Sequence, residues 1–86
     1  MSTPEIAIST HDILEIITRH TREVVPGLEA HCFVHTDSLR ALGANSIDRA
    51  DIIMMTLESL CLSIPLTVVA KAENIGELAT IIHTRR

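Results

Sequence analysis

The 86-residue chain is 47% hydrophobic and carries a formal net charge of −4, which fits one small domain over residues 1–86 and argues against a surface that draws nucleic acid. Phe33 is its one aromatic residue, so the core must come from Ile, Leu, Val, Met and Ala, which favours packed helices over a sandwich or barrel. No apolar run reaches the ~18 residues that span a bilayer, and the start Met1-Ser2-Thr3-Pro4-Glu5 lacks a basic secretory stretch, so Cys32 and Cys61 are expected as free thiols in the cytoplasm.

Residues 1–8 open with a Pro-bearing polar segment and read as a flexible tail whose apolar end, Ile6-Ala7-Ile8, leans on the core. Ser9 or Thr10 then caps a first helix with Asp12 in its first turn and Ile13, Leu14, Ile16, Ile17 and Val24 on its apolar face. Arg19, His20 and Arg22 lie toward its C-terminal end, where cations suit the dipole, and Pro26-Gly27 stops it. From Leu28 to Ala44 no period is sustained, so the segment reads as a long structured loop pinned by Phe33 and Leu39, with a helical turn near Ser38–Ala41 capped by Asp37 or Ser38.

The stretch Leu42-Gly43-Ala44-Asn45-Ser46-Ile47-Asp48 is the centre of the chain. Gly43 takes positive φ without steric cost, and Asn45 with Asp48 three residues on makes a capping-box start for a second helix. Ser46 opens that helix with an exposed hydroxyl, where an anion would meet unpaired N–H groups and the positive end of the dipole. From spacing alone, the serine is either first-turn filler or a place to hold a phosphate.

The second helix is expected from about Ser46 to about Leu62, roughly 25 Å long. Ile52, Ile53, Thr56 and Leu60 face the core, continued by Ile64, while Ile47, Ala50, Met54 and Leu57 mark another side among Asp48, Asp51 and Glu58. A helix in so small a domain seldom buries two faces, so the second face is either covered by a neighbouring helix or left as an acid-rimmed partner surface. Met54 and Met55 suit adaptable contacts, and Arg49 breaks the acidic run and could discriminate partners by charge. Ser63-Ile64-Pro65 ends the helix. Thr67–Lys71 allows a short third helix, and Asn74 with Glu77 caps a fourth whose stripe is Ile75, Leu78, Ile81 and Ile82. Gly76 in its first turn costs about 1 kcal/mol relative to Ala, and His83, Arg85 and Arg86 suit its end. The expected architecture is all-α: a small four-helix bundle of three longer helices and one short one, with a long loop between the first two.

Leu42–Asp48, followed by Ile64-Pro65 after the second helix, resembles the phosphopantetheine-attachment motif of acyl carrier proteins, usually Leu-Gly-Gly/Ala-Asp-Ser-Leu/Ile. Asn45 departs from the usual Asp and removes one negative charge beside the serine. The longer run Leu42–Ala50, with Asn45 and Arg49, is similar to the stand-alone donor carriers of polyketide β-branching cassettes. The resemblance implies a four-helix acyl-carrier bundle, itself non-catalytic and monomeric, with 4′-phosphopantetheine from coenzyme A attached at Ser46 by a phosphopantetheinyl transferase. It further implies that an acyltransferase loads malonyl, a ketosynthase-like enzyme decarboxylates it, and an HMG-CoA-synthase-like enzyme receives acetyl. Docking is expected through Asn45, Ile47, Asp48, Arg49, Ala50, Asp51, Met54 and Glu58. The alternatives are a fatty-acid or chain-elongation carrier and a helical interaction module without a prosthetic group.

Other constellations carry less. His31, Cys32 and His35 suggest metal ligands, but the stretch is not helical and no second ligand pair has suitable spacing, so no metal is expected. A Ser46 triad lacks the Gly-x-Ser-x-Gly elbow and enough chain to build a pocket.

Overall fold

Each of the three longer helices begins where a short polar side chain meets an acid three residues later, an arrangement that satisfies N–H groups the helix cannot pair internally. The computed structural model describes residues 8–85 and places four helices among them: α1 Thr10–Val24, α2 Ser46–Ser59, α3 Leu66–Val69 and α4 Ile75–Arg85. At the head of α1 the Asp12 N–H donates to Ser9 Oγ (3.2 Å) and the Ser9 N–H donates back to Asp12 Oδ2 (3.0 Å). That return bond, followed by the one from the Ser9 side chain, holds the Asp12 carboxyl below its ordinary pKa. At α4 the Glu77 N–H donates to Asn74 Oδ1 (2.7 Å), while Glu77 Oε1 takes the N–H of Glu73 (3.1 Å). The tail expected over residues 1–8 lies outside the described residues except for Ile8, which packs against the core. No helix among the described residues is long and apolar enough to cross a membrane.

The core is aliphatic, as the composition requires. Ile13, Ile17, Ile52 and Ile82 are completely buried, joined by Leu14, Leu39, Ile53, Leu57, Val69, Ile75, Leu78 and Ala79. Helix α1 lies against both α2 and α4, and α3 spans the gap between α2 and α4. Two buried threonines fit this apolar setting because each hydroxyl donates to a carbonyl one turn back, Thr21 to Ile17 (2.7 Å) and Thr56 to Ile52 (2.8 Å). His20, toward the C-terminal end of α1, is buried and shares a 2.8 Å hydrogen bond between Nε2 and Ser59 Oγ that ties α1 to α2.

Helix α2 stops at Ser59 rather than running to Leu62. Cys61 adopts φ +54°, the Leu62 N–H reaches back to the Leu57 carbonyl (2.9 Å), and the Cys61 N–H reaches that of Glu58 (3.0 Å). This is a Schellman ending with cysteine in the left-handed position that glycine normally takes. The same ending, one turn before α2, closes the helical turn expected near Ser38: Ala44 N–H to Leu39 carbonyl (3.0 Å) and Gly43 N–H to Arg40 carbonyl (3.1 Å), with Gly43 at φ +105°. Because an L-residue with a Cβ is strained there and glycine is not, Cys61→Gly is expected to stabilise the protein by about 1 kcal/mol. A thermal melt would then show a midpoint about 4–8 °C higher; an unchanged or lower midpoint would refute the assignment of strain to Cys61.

Candidate functional site

Ser46 is exposed at the first turn of α2. The segment leading to it is held at each step. Leu39 and Ala44 are buried, Gly43 makes the left-handed turn between them, and Asn45 leaves it in extended conformation (φ −78°, ψ −177°). Asn45 Oδ1 accepts the Asp48 N–H (2.8 Å), and Asp48 Oδ2 accepts the Asn45 N–H (3.2 Å). The cap is therefore Asn45, and the Ser46 side chain is left over for other chemistry. Arg49 Nη1 donates to the Ala44 carbonyl (2.8 Å), so its guanidinium lies back across the entrance of the helix.

The eight expected docking residues do not form one surface. Ile47, Asp51, Met54 and Glu58 recur at steps of four, three and four residues along α2, so they share one face, and all four are exposed, Ile47 by 70% and Met54 by 50%. Asn45 is exposed and Ala50 half-buried. Asp48 and Arg49 are half-buried and engaged with backbone groups, which makes them parts of the helix entrance. Leu57, placed by periodicity on the outer side, is buried with Ile53 one turn earlier and belongs to the core. The outer face of α2 is thus narrower than its sequence suggests, two apolar side chains and two acids.

Beside Ser46 opens a hollow of about 590 Å³ between the long loop, α2, α3 and α4. Leu39, Ile53, Val69 and Leu78 form its apolar wall, and Arg40, Arg49 and Glu73 are charged residues of its lining. A phosphodiester on Ser46 fits this setting: the serine is exposed, the first-turn N–H groups and helix dipole favour an anion, and two arginines are among the residues lining the adjoining hollow.

The long loop that supplies one side of the hollow is ordered by polar contacts. Arg22 donates to the carbonyls of Leu28 (3.3 Å) and His31 (3.0 Å), and its guanidinium carbon stands 4.9 Å over the Phe33 ring. Phe33 in turn meets the His31 ring edge-on, 4.7 Å between centroids. Asp37 accepts the Val34 N–H (2.9 Å) and hydrogen-bonds His31 Nε2 (2.9 Å), and these two contacts, in that order, hold its carboxyl below the ordinary value of 3.8. The contribution to stability is complete above that ordinary value and fades as the pH falls through the lowered one. His31 is therefore committed to the loop, and among the described residues no group of three or more His, Cys, Asp or Glu side chains is placed to hold a metal ion.

The loop also reaches α4. The Ile75 N–H donates to the Asp37 carbonyl and the Gly76 N–H to the His35 carbonyl, both at 2.9 Å, so loop carbonyls satisfy two first-turn donors of that helix. Sequence reading missed this contact and the Arg49 tether. An arginine at the fourth helical position, where an apolar residue would staple the entrance, was the available signal for the tether.

No family model matches the chain. It is 44% identical over 73 residues to the polyketide biosynthesis acyl-carrier-protein AcpK of Bacillus subtilis (strain 168), which covers 85% of this chain and 89% of that protein. It also superposes, with a TM-score of 0.84, on a chain in the crystal structure of the curacin biosynthetic pathway HMG synthase in complex with acetyl donor-ACP. Identity there is 47%, over 88% of this chain and 97% of that one.

Proposed function

The chain belongs to the acyl-carrier proteins of polyketide biosynthesis, and from that premise we propose that Ser46 bears the phosphopantetheine arm the family implies and that the loaded protein donates acetyl to an HMG-CoA-synthase-like enzyme. When attached, the arm supplies a terminal thiol that holds the acyl group as a thioester. The protein supplies position and recognition and is itself a substrate of its partners. The observation that carries this reading is an exposed serine hydroxyl at the mouth of α2, with its capping duties taken by Asn45 and Asp48. A phosphopantetheinyl transferase would attach the arm, an acyltransferase would load malonyl, and a decarboxylating ketosynthase-like enzyme would leave acetyl, all in the cytoplasm. Likeness to a carrier solved with an HMG synthase supports the HMG-CoA-synthase-like enzyme as the recipient. Intact mass after incubation with coenzyme A and a broad-specificity transferase tests the attachment, and acetyl transfer to an HMG-CoA-synthase-like enzyme tests the destination. A chain that gains no mass would be a helical interaction module instead.

We place the docking surface on the outer face of α2, where Asp51 and Glu58 flank Met54 and Ile47. Rim acids steer a partner's basic patch and affect association more than they affect the fold. The pair Asp51→Lys and Glu58→Lys is expected to slow acetyl transfer about tenfold at low salt, with the difference shrinking as salt rises. Both residues are exposed, so folding stability should stay within about 0.5 kcal/mol per site. Unchanged transfer rates would remove this face from the docking surface.

A further inference from the structure

Arg49 is a cation among Asp48, Asp51 and Glu58, yet its guanidinium is directed at the backbone of its own chain. Counted from the cap Asn45, Ala44 precedes the cap by one residue and Arg49 is the fourth residue of the helix. These are the two positions that an apolar staple joins when it fixes the angle at which a chain enters a helix. Ala44, with a methyl group alone, is a poor half of such a staple. The structure replaces it with a charge-assisted hydrogen bond of 2.8 Å from Arg49 Nη1 to the Ala44 carbonyl. Ala44 is 3% exposed, and its N–H is already committed to the Leu39 carbonyl. Its peptide groups are thus gripped on both sides, and the one residue between this grip and Ser46 is the cap itself.

We propose that Arg49 is a positioning residue for arm attachment, a charged staple that fixes the entry of the chain into α2 and so the direction in which the Ser46 hydroxyl is offered. The inference rests on the Ser46 reading. In the attachment step the Ser46 Oγ forms a bond to the phosphorus that carries pantetheine as that phosphorus loses its bond to adenosine 3′,5′-bisphosphate. The hydroxyl proton leaves through the transferase to solvent. A rigid nucleophile matters here because small misplacements of a reacting atom cost disproportionate rate. Arg49 also lines the same hollow as Ser46.

The test is the steady-state kinetics of a phosphopantetheinyl transferase acting with coenzyme A on the wild type, Arg49→Gln and Arg49→Lys, paired with amide hydrogen exchange at Asn45 and Ser46. Arg49→Gln should lower kcat about tenfold or more while KM for the carrier stays within about twofold, and the two amides should exchange faster. Arg49→Lys should recover most of kcat, since an ammonium can reach the same carbonyl. If Arg49→Gln is unfolded at the assay temperature, Arg49→Met, which keeps the apolar stem, takes its place and the same split decides. A KM that rises alone would make Arg49 a docking charge, and an unchanged kcat would also overturn the proposal. A wild type that takes no arm removes the Ser46 reading itself; a wild type loaded normally beside an equally fast Arg49→Gln removes the role of Arg49 alone.

Discussion

Ser46→Ala is expected to abolish arm loading completely while leaving the fold and its stability in place, within about 0.5 kcal/mol. Serine at the start of a helix is often the cap, and deleting a cap costs about 1 kcal/mol. Here Asn45 is the cap, with its own side chain on the Asp48 N–H, and Ser46 stands exposed one residue inside the helix, where alanine is a good replacement. Asn45→Ala should behave in the opposite way, losing about 1 kcal/mol of stability while its serine still gains the arm's mass at the end of the reaction, at a lower rate. Intact mass after transferase treatment and thermal melts on the two variants separate the roles. A mass gain that survives in Ser46→Ala would move the attachment to another hydroxyl and undo the functional reading.

Gly76→Ala is expected to destabilise the protein by about 2 kcal/mol, even though propensity alone favours alanine by about 1 kcal/mol in a helix. A Cβ at this position would meet the His35 carbonyl oxygen at 2.8 Å and the His35 Cβ at 3.0 Å. The first of these is backbone, so relief requires pushing the loop off α4. Overpacking of that kind costs about 1–3 kcal/mol. It also weakens the Gly76 and Ile75 hydrogen bonds to the loop, each worth about 1 kcal/mol. A melting midpoint about 10 °C lower is the expected readout. A midpoint that rises would mean the close approach of loop and helix is not maintained in solution.

How far the sequence reveals this molecule depends on where each signal resides. The beginnings of α1, α2 and α4 were legible because Ser9 with Asp12, Asn45 with Asp48, and Asn74 with Glu77 carry their caps within three residues of chain. The end of α2 was not, because its left-handed stop is Cys61, a residue with no preference for that conformation, and the nearest visible breaker was Pro65. Gly76 read as a weakness of α4 because its partner, His35, is far away in sequence; the contact is tertiary and leaves no periodic trace. Leu57 went to the wrong side of α2 since alternate apolar positions on a two-faced helix can be joined into stripes in more than one way, and packing against α1 chooses between them. Ser46 was legible as an exposed first-turn residue from capping chemistry. That the hydroxyl serves as more than filler came from likeness to a family.

The two backbone bonds from α4 to the loop, together with the grip of Arg22 on Leu28 and His31, bear on delivery of cargo. They tie the loop that leads to Ser46 to α4 and to α1. On the Ser46 reading, whatever wandering a tethered thioester needs in order to reach successive catalytic chambers must therefore come from its own rotatable bonds, with the protein acting as a fixed pivot. An enzyme that seizes α2 consequently knows where the leash begins, and the search left to it is one of angle and reach.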